Sequence, residues 1–412
     1  MTEDAEPTDD TVVPAPLPEI PKDAERSETR AESGVKPDPC YPVGDKILSI
    51  FDLLHRFTEP AYMVGGMSRL SDLHLTIGEP LRYRFDGELV TLPDAFPVTP
   101  EVIERLVFPL LTRDQRKQLR ASPTTIIDAG FEWREQRLSF RINAFHDRHG
   151  LAAAIRVLPR RIPRCETVGF PEDATWQEIV DADQGLVIVT GVTGSGKSTT
   201  IASLLQQINR TRGARIITLE DPIEYVLDSE RALISQRELG RHIESFSAGL
   251  RSALREDPDV IFVGEIRDRE TGALALSAAE TGHLVLTTMH TRDTRGAITR
   301  MVDMFPGERS KELCSQLSFA LSMVVGQKLV PNAEGGGRRV VMEVLKNQPA
   351  MSHLIRSGKW EQIYATIETH RGSGMVTLER HLIALAEEGK ITKETALRAA
   401  NTRAVMAAFG EI

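Results

Sequence analysis

No apolar run in this 412-residue chain comes near the ~20 residues that a helix needs to cross a bilayer. Direct membrane insertion is therefore not expected. The first residues are acidic where a secretory signal would be basic and then apolar, so the sequence predicts a cytoplasmic location. Cysteine is scarce as well: Cys40, Cys165 and Cys314 are odd in number and widely spaced, which leaves neither a disulfide framework nor a tetracysteine zinc site. Aromatic residues make up only 5% of the chain and nowhere interleave with a basic stripe. A nucleic acid, which would be gripped by positive charge and stacking rings, is not an expected partner.

What is present is ordinary for a soluble globular protein of two or three domains: 41% hydrophobic and 26% charged residues. The charge is unevenly placed. Of a net −9, residues 1–40 contribute most, holding eleven acidic and four basic side chains together with seven of the 23 prolines. Such a segment has too few large apolar groups to offset the entropy of ordering. Residues 1–42 are accordingly read as a disordered acidic, proline-rich tail, either a solvating extension or a docking segment.

Residues 43–160 read as a first, small α/β domain. Leu81 to Phe85 alternates as a strand does, Pro100 to Leu119 carries apolar residues at helical spacing, and turn signals stand at 78–80 and 86–87. Arg137 to Phe145 and Leu151 to Leu158 read as a hairpin around Asp147 to Gly150. The proline-broken basic stretch that follows suggests a linker over 161–178. From 179 to 345 strand-like and helix-like segments alternate: Leu186–Thr190, a helix from Ser198, Arg215–Leu219, a helix near Ser245–Arg255, Val260–Val263, a helix near Glu270–Thr281, and Leu284–Thr288. This is the rhythm of a parallel sheet covered by helices on both faces. Residues 346–412 are read as a helical C-terminal region.

The first strand of that alternation runs into Gly191-Val-Thr193-Gly194-Ser195-Gly196-Lys197-Ser198-Thr199. The pattern is a P-loop. Its glycines let backbone N–H groups approach phosphate oxygens, Lys197 reaches the β- and γ-phosphates, and the Ser198 hydroxyl suits Mg²⁺. A helix starting near Thr199 aims its positive end at the same anion. ATP with Mg²⁺ is the expected ligand.

Three further motifs fall at strand ends, where ligands of such sheets lie. Glu220-Asp221-Pro222-Ile-Glu224 sets three carboxylates past one strand, suited to Mg²⁺ and a hydrolytic water. Asp259-Val-Ile-Phe-Val-Gly delivers Glu265 where a Walker B acid would hold the metal shell, although Gly264 replaces the first acid of the usual pair. Thr288-Met-His290-Thr291 ends a third strand that Thr281-Gly-His283 precedes. A lone histidine at a strand end is more often structural than catalytic, but a neutral imidazole can both donate and accept, so His290 suits a γ-phosphate sensor, with His283 a second candidate.

The runs GVTGSGKSTT, LEDPIEYV and LREDPDVIFVGEIRDRETGALALSAAETGHLVLTTMHT resemble the PilT branch of the secretion and type IV pilus ATPases, and within it the twitching-motility retraction motors. LSDLHLTIGEPLRYRFDG, FRINAFHDRHGLAAAIRVLP and GMVTLERHLIALAEEGKIT extend the likeness from about residue 44 to 400. The resemblance implies a homohexameric ring with a PAS-like N-terminal domain and a RecA-like ATPase domain, each nucleotide lying between the two. It implies Glu224 as the water-activating carboxylate, Glu265 as the Walker B acid, a His box from His283 to His290, and two arginines, Arg141 and Arg156, that reach the phosphates. It also implies an inner-membrane pilus platform and a paralogous retraction ATPase as partners, with the protein peripheral at that machine.

Two departures bear on the expected role. Where retraction ATPases carry Ala-Ile-Arg-Asn-Leu-Ile-Arg-Glu, this chain has Ala350-Met-Ser-His-Leu-Ile-Arg356-Ser357, and the acidic tail precedes the family's usual start. The missing tetracysteine site speaks against the extension and type II secretion ATPases. A secretion or conjugation ATPase of the DotB kind and a weakly hydrolysing, nucleotide-gated scaffold stay open as alternatives at this point.

Overall fold

The computed structural model describes residues 38–64, 67–136, 138–158, 161–305, 307–335 and 337–410. Most of the acidic tail thus lies outside the described residues. The tail's assigned end does not: Cys40 and Tyr41 are buried, and Tyr41–Val43 pairs antiparallel with Lys46–Leu48. Apolar Cys40 and Tyr41 have a core to enter, which is why the packed chain begins before residue 43.

The chain divides into two compact units, one ending at Arg161 and one starting at Ile162. In the first, six antiparallel strands lie in the order Glu88–Thr91, Arg82–Phe85, Leu70–Thr76, Gly150–Val157, Leu138–Asp147 and Ile127–Trp133. Inward and outward residues alternate most regularly in Leu138–Asp147. Leu138, Phe140, Ile142 and Ala144 point into one core with Leu73, Leu75, Tyr83 and Ile155, against the Ile50–His55 and Pro100–Val107 helices. The intervening residues, Arg141 and Arg156 among them, stand on the opposite face, as a period of two requires.

The second unit is built on a seven-stranded sheet in the order Leu233–Glu238, Arg215–Glu220, Val260–Val263, Leu284–Met289, Gly185–Thr190, Leu321–Pro331 and Arg338–Lys346. All neighbours are parallel except the last pair. Val187, Ile188, Val189, Ile261, Val263, Val285 and Leu286 are wholly buried, because a parallel strand with helices on both faces has no solvent side. One face carries the helices Phe246–Ala253, Arg269–Glu280, Thr294–Asp303 and Gly307–Ala320, the other the P-loop helix Lys197–Thr211. Five further helices from Pro349–Ser357 to Ala404–Phe409 form the expected helical C-terminal region.

One segment is not what its prolines suggest. Within 161–178, expected as a linker, Cys165–Val168 forms a helix and Asp173–Asp181 begins another, and Cys165, Val168, Trp176 and Ile179 join the core beneath the P-loop helix. The prolines at 163 and 171 stand just before these helices and do not interrupt them.

Candidate functional site

The nucleotide-binding candidates gather at the carboxyl ends of the central strands. The Gly185–Thr190 strand sits between Leu284–Met289 and Leu321–Pro331, where chain order across the sheet reverses, the position at which ligands of such sheets bind. Thr190 passes directly into the loop, whose Gly194 and Gly196 hold φ of +77° and +90°, a left-handed conformation that side chains disfavour. Gly191 is required for a different reason: a Cβ there would stand 2.4 Å from the Gln327 carbonyl oxygen and 2.5 Å from Ser195 Oγ. The loop is fastened from the neighbouring strand. Gln327 Nε2 donates to the Ser195 carbonyl at 2.7 Å, and Thr200 Oγ1 donates to Gln327 Oε1 at 3.0 Å.

Lys197 opens the P-loop helix and is buried. Its ammonium group donates to the carbonyls of Gly191 at 2.8 Å and Val192 at 3.2 Å, so the loop's own oxygens take the place a phosphate would hold. Burial lowers its pKa, and Glu265 and Glu224 partly offset that. Ser195 Oγ is buried without a hydrogen-bond partner. Thr193 and Gly194 are exposed, Ser198 is half-buried, and Thr199 Oγ1 lies 2.8 Å from the Tyr225 hydroxyl.

The acids converge on the same edge. Glu220, last residue of its strand, is buried; its Oε1 accepts from Thr218 Oγ1 at 2.6 Å and Gln236 Nε2 at 3.0 Å. Burial is the main cause that pushes its carboxyl up to about 7. Glu224, four residues on, is exposed. Glu265 follows the Val260–Val263 strand, where Gly264 N–H donates to the Leu219 carbonyl and Thr288 Oγ1 donates to the Gly264 carbonyl. Its carboxylate is ion-paired to Arg267 at 2.5 Å, and His290 Nε2 lies 3.6 Å away. The His290 pKa is lowered by partial burial first and then by the Lys197 and Arg267 charges, which favours the neutral imidazole.

One expectation parts company with this cluster. His283 stands before the Leu284–Met289 strand and His290 after it, so a six-residue strand separates them and His283 lies at the opposite edge of the sheet from the P-loop. Its Nδ1 instead lies 2.9 Å from the Ala278 carbonyl, an end-of-helix contact. Arg141 and Arg156 belong to the first unit. There, Arg156 Nε donates to Asp72 at 2.7 Å, and Arg141 stands 3.9 Å from Asp128.

Other site residues escape a reading by motif. Gln327 and Arg267 are the clearest, and Gln327 left one trace, the one side-chain amide in the mainly apolar LSMVVGQKLV run.

The fold and the cluster of Lys197, Glu220, Glu265 and His290 at its strand ends define a P-loop nucleotide-binding protein with a RecA-like parallel sheet. The chain belongs to the type II/IV secretion system protein family, which residues 67–398 match. An uncharacterized Escherichia coli protein, YggR, is 43% identical over 78% of this chain and 96% of its own length. The type IV pilus retraction ATPase PilT of Pseudomonas aeruginosa is 41% identical over 79% of this chain and 93% of its own. The crystal structure of the pilus retraction motor PilT with bound ADP superimposes with a TM-score of 0.77 at 40% identity, covering 86% of this chain and 98% of that one.

Proposed function

We propose that this protein is an ATP-hydrolysing motor that drives type IV pilus retraction. The observation that carries the reading is the P-loop lysine, two carboxylates and a histidine meeting at one end of the sheet, in a chain similar to a retraction motor over most of both lengths.

ATP is held by the amides from Gly191 to Thr199. Lys197 leaves the carbonyls of Gly191 and Val192 to meet the β- and γ-phosphates, a short exchange because those oxygens line the same loop. Glu224, exposed beside a buried Glu220, takes the proton of the attacking water. His290, kept neutral, donates to the γ-phosphate or the water. Arg141 and Arg156 neutralise the leaving phosphates.

The donor set suits a hard cation. Ser198 and Glu265 offer only oxygen, and Glu265 already balances a positive charge, that of Arg267. Bound Mg²⁺ would neutralise the charge on the β- and γ-phosphates. The working form is read as a homohexamer on the cytoplasmic side of an inner-membrane pilus platform, with a paralogous retraction ATPase as a further partner. No helix among the described residues is long and apolar enough to cross a membrane.

The test is steady-state ATP turnover of the purified chain beside Lys197→Ala and Glu224→Gln, with the particle mass recorded on the same samples. Mg²⁺-dependent turnover by a six-subunit particle, reduced at least about a hundredfold in both variants, is expected. Tight ATP binding without turnover would replace the motor with a nucleotide-gated scaffold.

A further inference from the structure

Four residues on the open face of the first unit's sheet form a single transverse row. Arg84 stands directly opposite Asp72, Asp72 opposite Arg156, and Arg156 opposite Arg141, on four consecutive strands. With strands about 4.8 Å apart, the row spans roughly 14 Å. It holds three guanidinium groups and one carboxylate. Like charges directly opposite each other destabilise a sheet, and here Arg156 and Arg141 are such a pair.

The compensation is lopsided. Asp72 is buried, its side chain only 6% exposed, and it accepts from Arg156 Nε at 2.7 Å and from Ser71 Oγ at 2.7 Å, with Arg84 Nε at 3.9 Å. Arg141, by contrast, has Asp128 no nearer than 3.9 Å. A buried carboxylate fixed between two half-exposed arginines is a mount for them: it sets where the guanidinium groups lie while leaving their outer N–H groups to solvent. The arrangement leaves an excess of positive charge along the row for an anion to meet.

We propose that Asp72 is a positioning residue for ATP turnover, holding the Arg156 guanidinium across the open sheet face and acting on the reaction only through that arginine. The proposal rests on the reading that Arg156 meets the nucleotide's phosphates. A carboxylate is the right mount for such a group, because its hydrogen bond to Nε fixes the plane of the guanidinium and leaves the terminal nitrogens free for a bidentate grip on phosphate.

The experiment is a double-mutant cycle on the full chain with Asp72→Asn, Arg156→Gln and the pair, reading kcat and KM for ATP and the melting temperature of each. Arg156→Gln is expected to lower kcat at least about tenfold. Asp72→Asn should lower it about three- to tenfold with KM within about twofold, and the pair should be no slower than Arg156→Gln alone. If the two losses multiply in the double variant, Asp72 does not act through Arg156 and the proposal falls while the arginine's role stands. If Arg156→Gln turns over ATP at the wild-type rate, the arginine's role falls and the proposal with it. Should Asp72→Asn not fold, Asp72→Glu, which keeps the charge and shifts it by one methylene, goes through the same cycle and is read by the same criterion.

Discussion

Glu220 and Glu224 are four residues apart, yet one is buried and the other exposed. Removed from water, the Glu220 carboxyl titrates near 7 in the folded protein, against an ordinary value of 4.5. Between those values the folded state holds a proton that the unfolded state has released. Stability conferred by that proton is present below the ordinary value and is lost as pH rises through the folded one. The size is about 2–3 kcal/mol. The empty protein is therefore expected to melt at a lower temperature at about pH 8 than at about pH 5, and Glu220→Gln, which keeps the acceptor for Thr218 and Gln236, should flatten that slope. Thermal melts of both proteins at the two pH values test this; equal slopes would refute it.

At the scale of the element, the P-loop depends on a strand far from it in sequence. Gln327 binds the Ser195 carbonyl and the Thr200 hydroxyl, joining the loop and its helix to the Leu321–Pro331 strand. Gln327→Leu removes both bonds, each worth about 1 kcal/mol; the Ser195 carbonyl loses its donor, while Thr200 Oγ1 keeps the Gly196 carbonyl at 3.3 Å. Affinity for a fluorescent ADP analogue should fall about tenfold, and an unchanged dissociation constant in a folded variant would show that the fastening is dispensable.

Dependences of this kind explain what the sequence could and could not disclose. Four of the seven large-sheet strands were legible, because short Val-, Ile- and Leu-rich runs are what a buried parallel strand requires, and so was the hairpin of Leu138–Asp147 and Gly150–Val157. The closing Leu321–Pro331 and Arg338–Lys346 hairpin was not anticipated, since no nucleotide motif draws attention to it. His283 misled because a motif records order along the chain and not which end of a strand a residue occupies. Asp268 shows the converse. It sits in the acidic GEIRDRE run but accepts from Thr271 N–H and Oγ1, capping the Arg269–Glu280 helix that begins just past Glu265.

For the whole molecule the consequence lies in how charge is divided. The lysine, the carboxylates and the histidine belong to the second unit, whereas the arginines proposed to meet the phosphates belong to the first. Hydrolysis as proposed then draws on residues of both units, and in the proposed ring the state of one subunit bears on its neighbours. Subunits that depend on each other in this way should not lose activity in proportion to the number disabled. Co-expressing the wild-type chain with Lys197→Ala in graded ratios, and measuring turnover per wild-type subunit in the mixed particles, tests the point. With half the subunits disabled, total turnover is expected well below half of the all-wild-type value, because each blocked subunit also arrests neighbours that could have fired. A strictly linear decline would mean that each subunit hydrolyses ATP alone, and a ring of independent hydrolases has no means of passing the work of one site to the next.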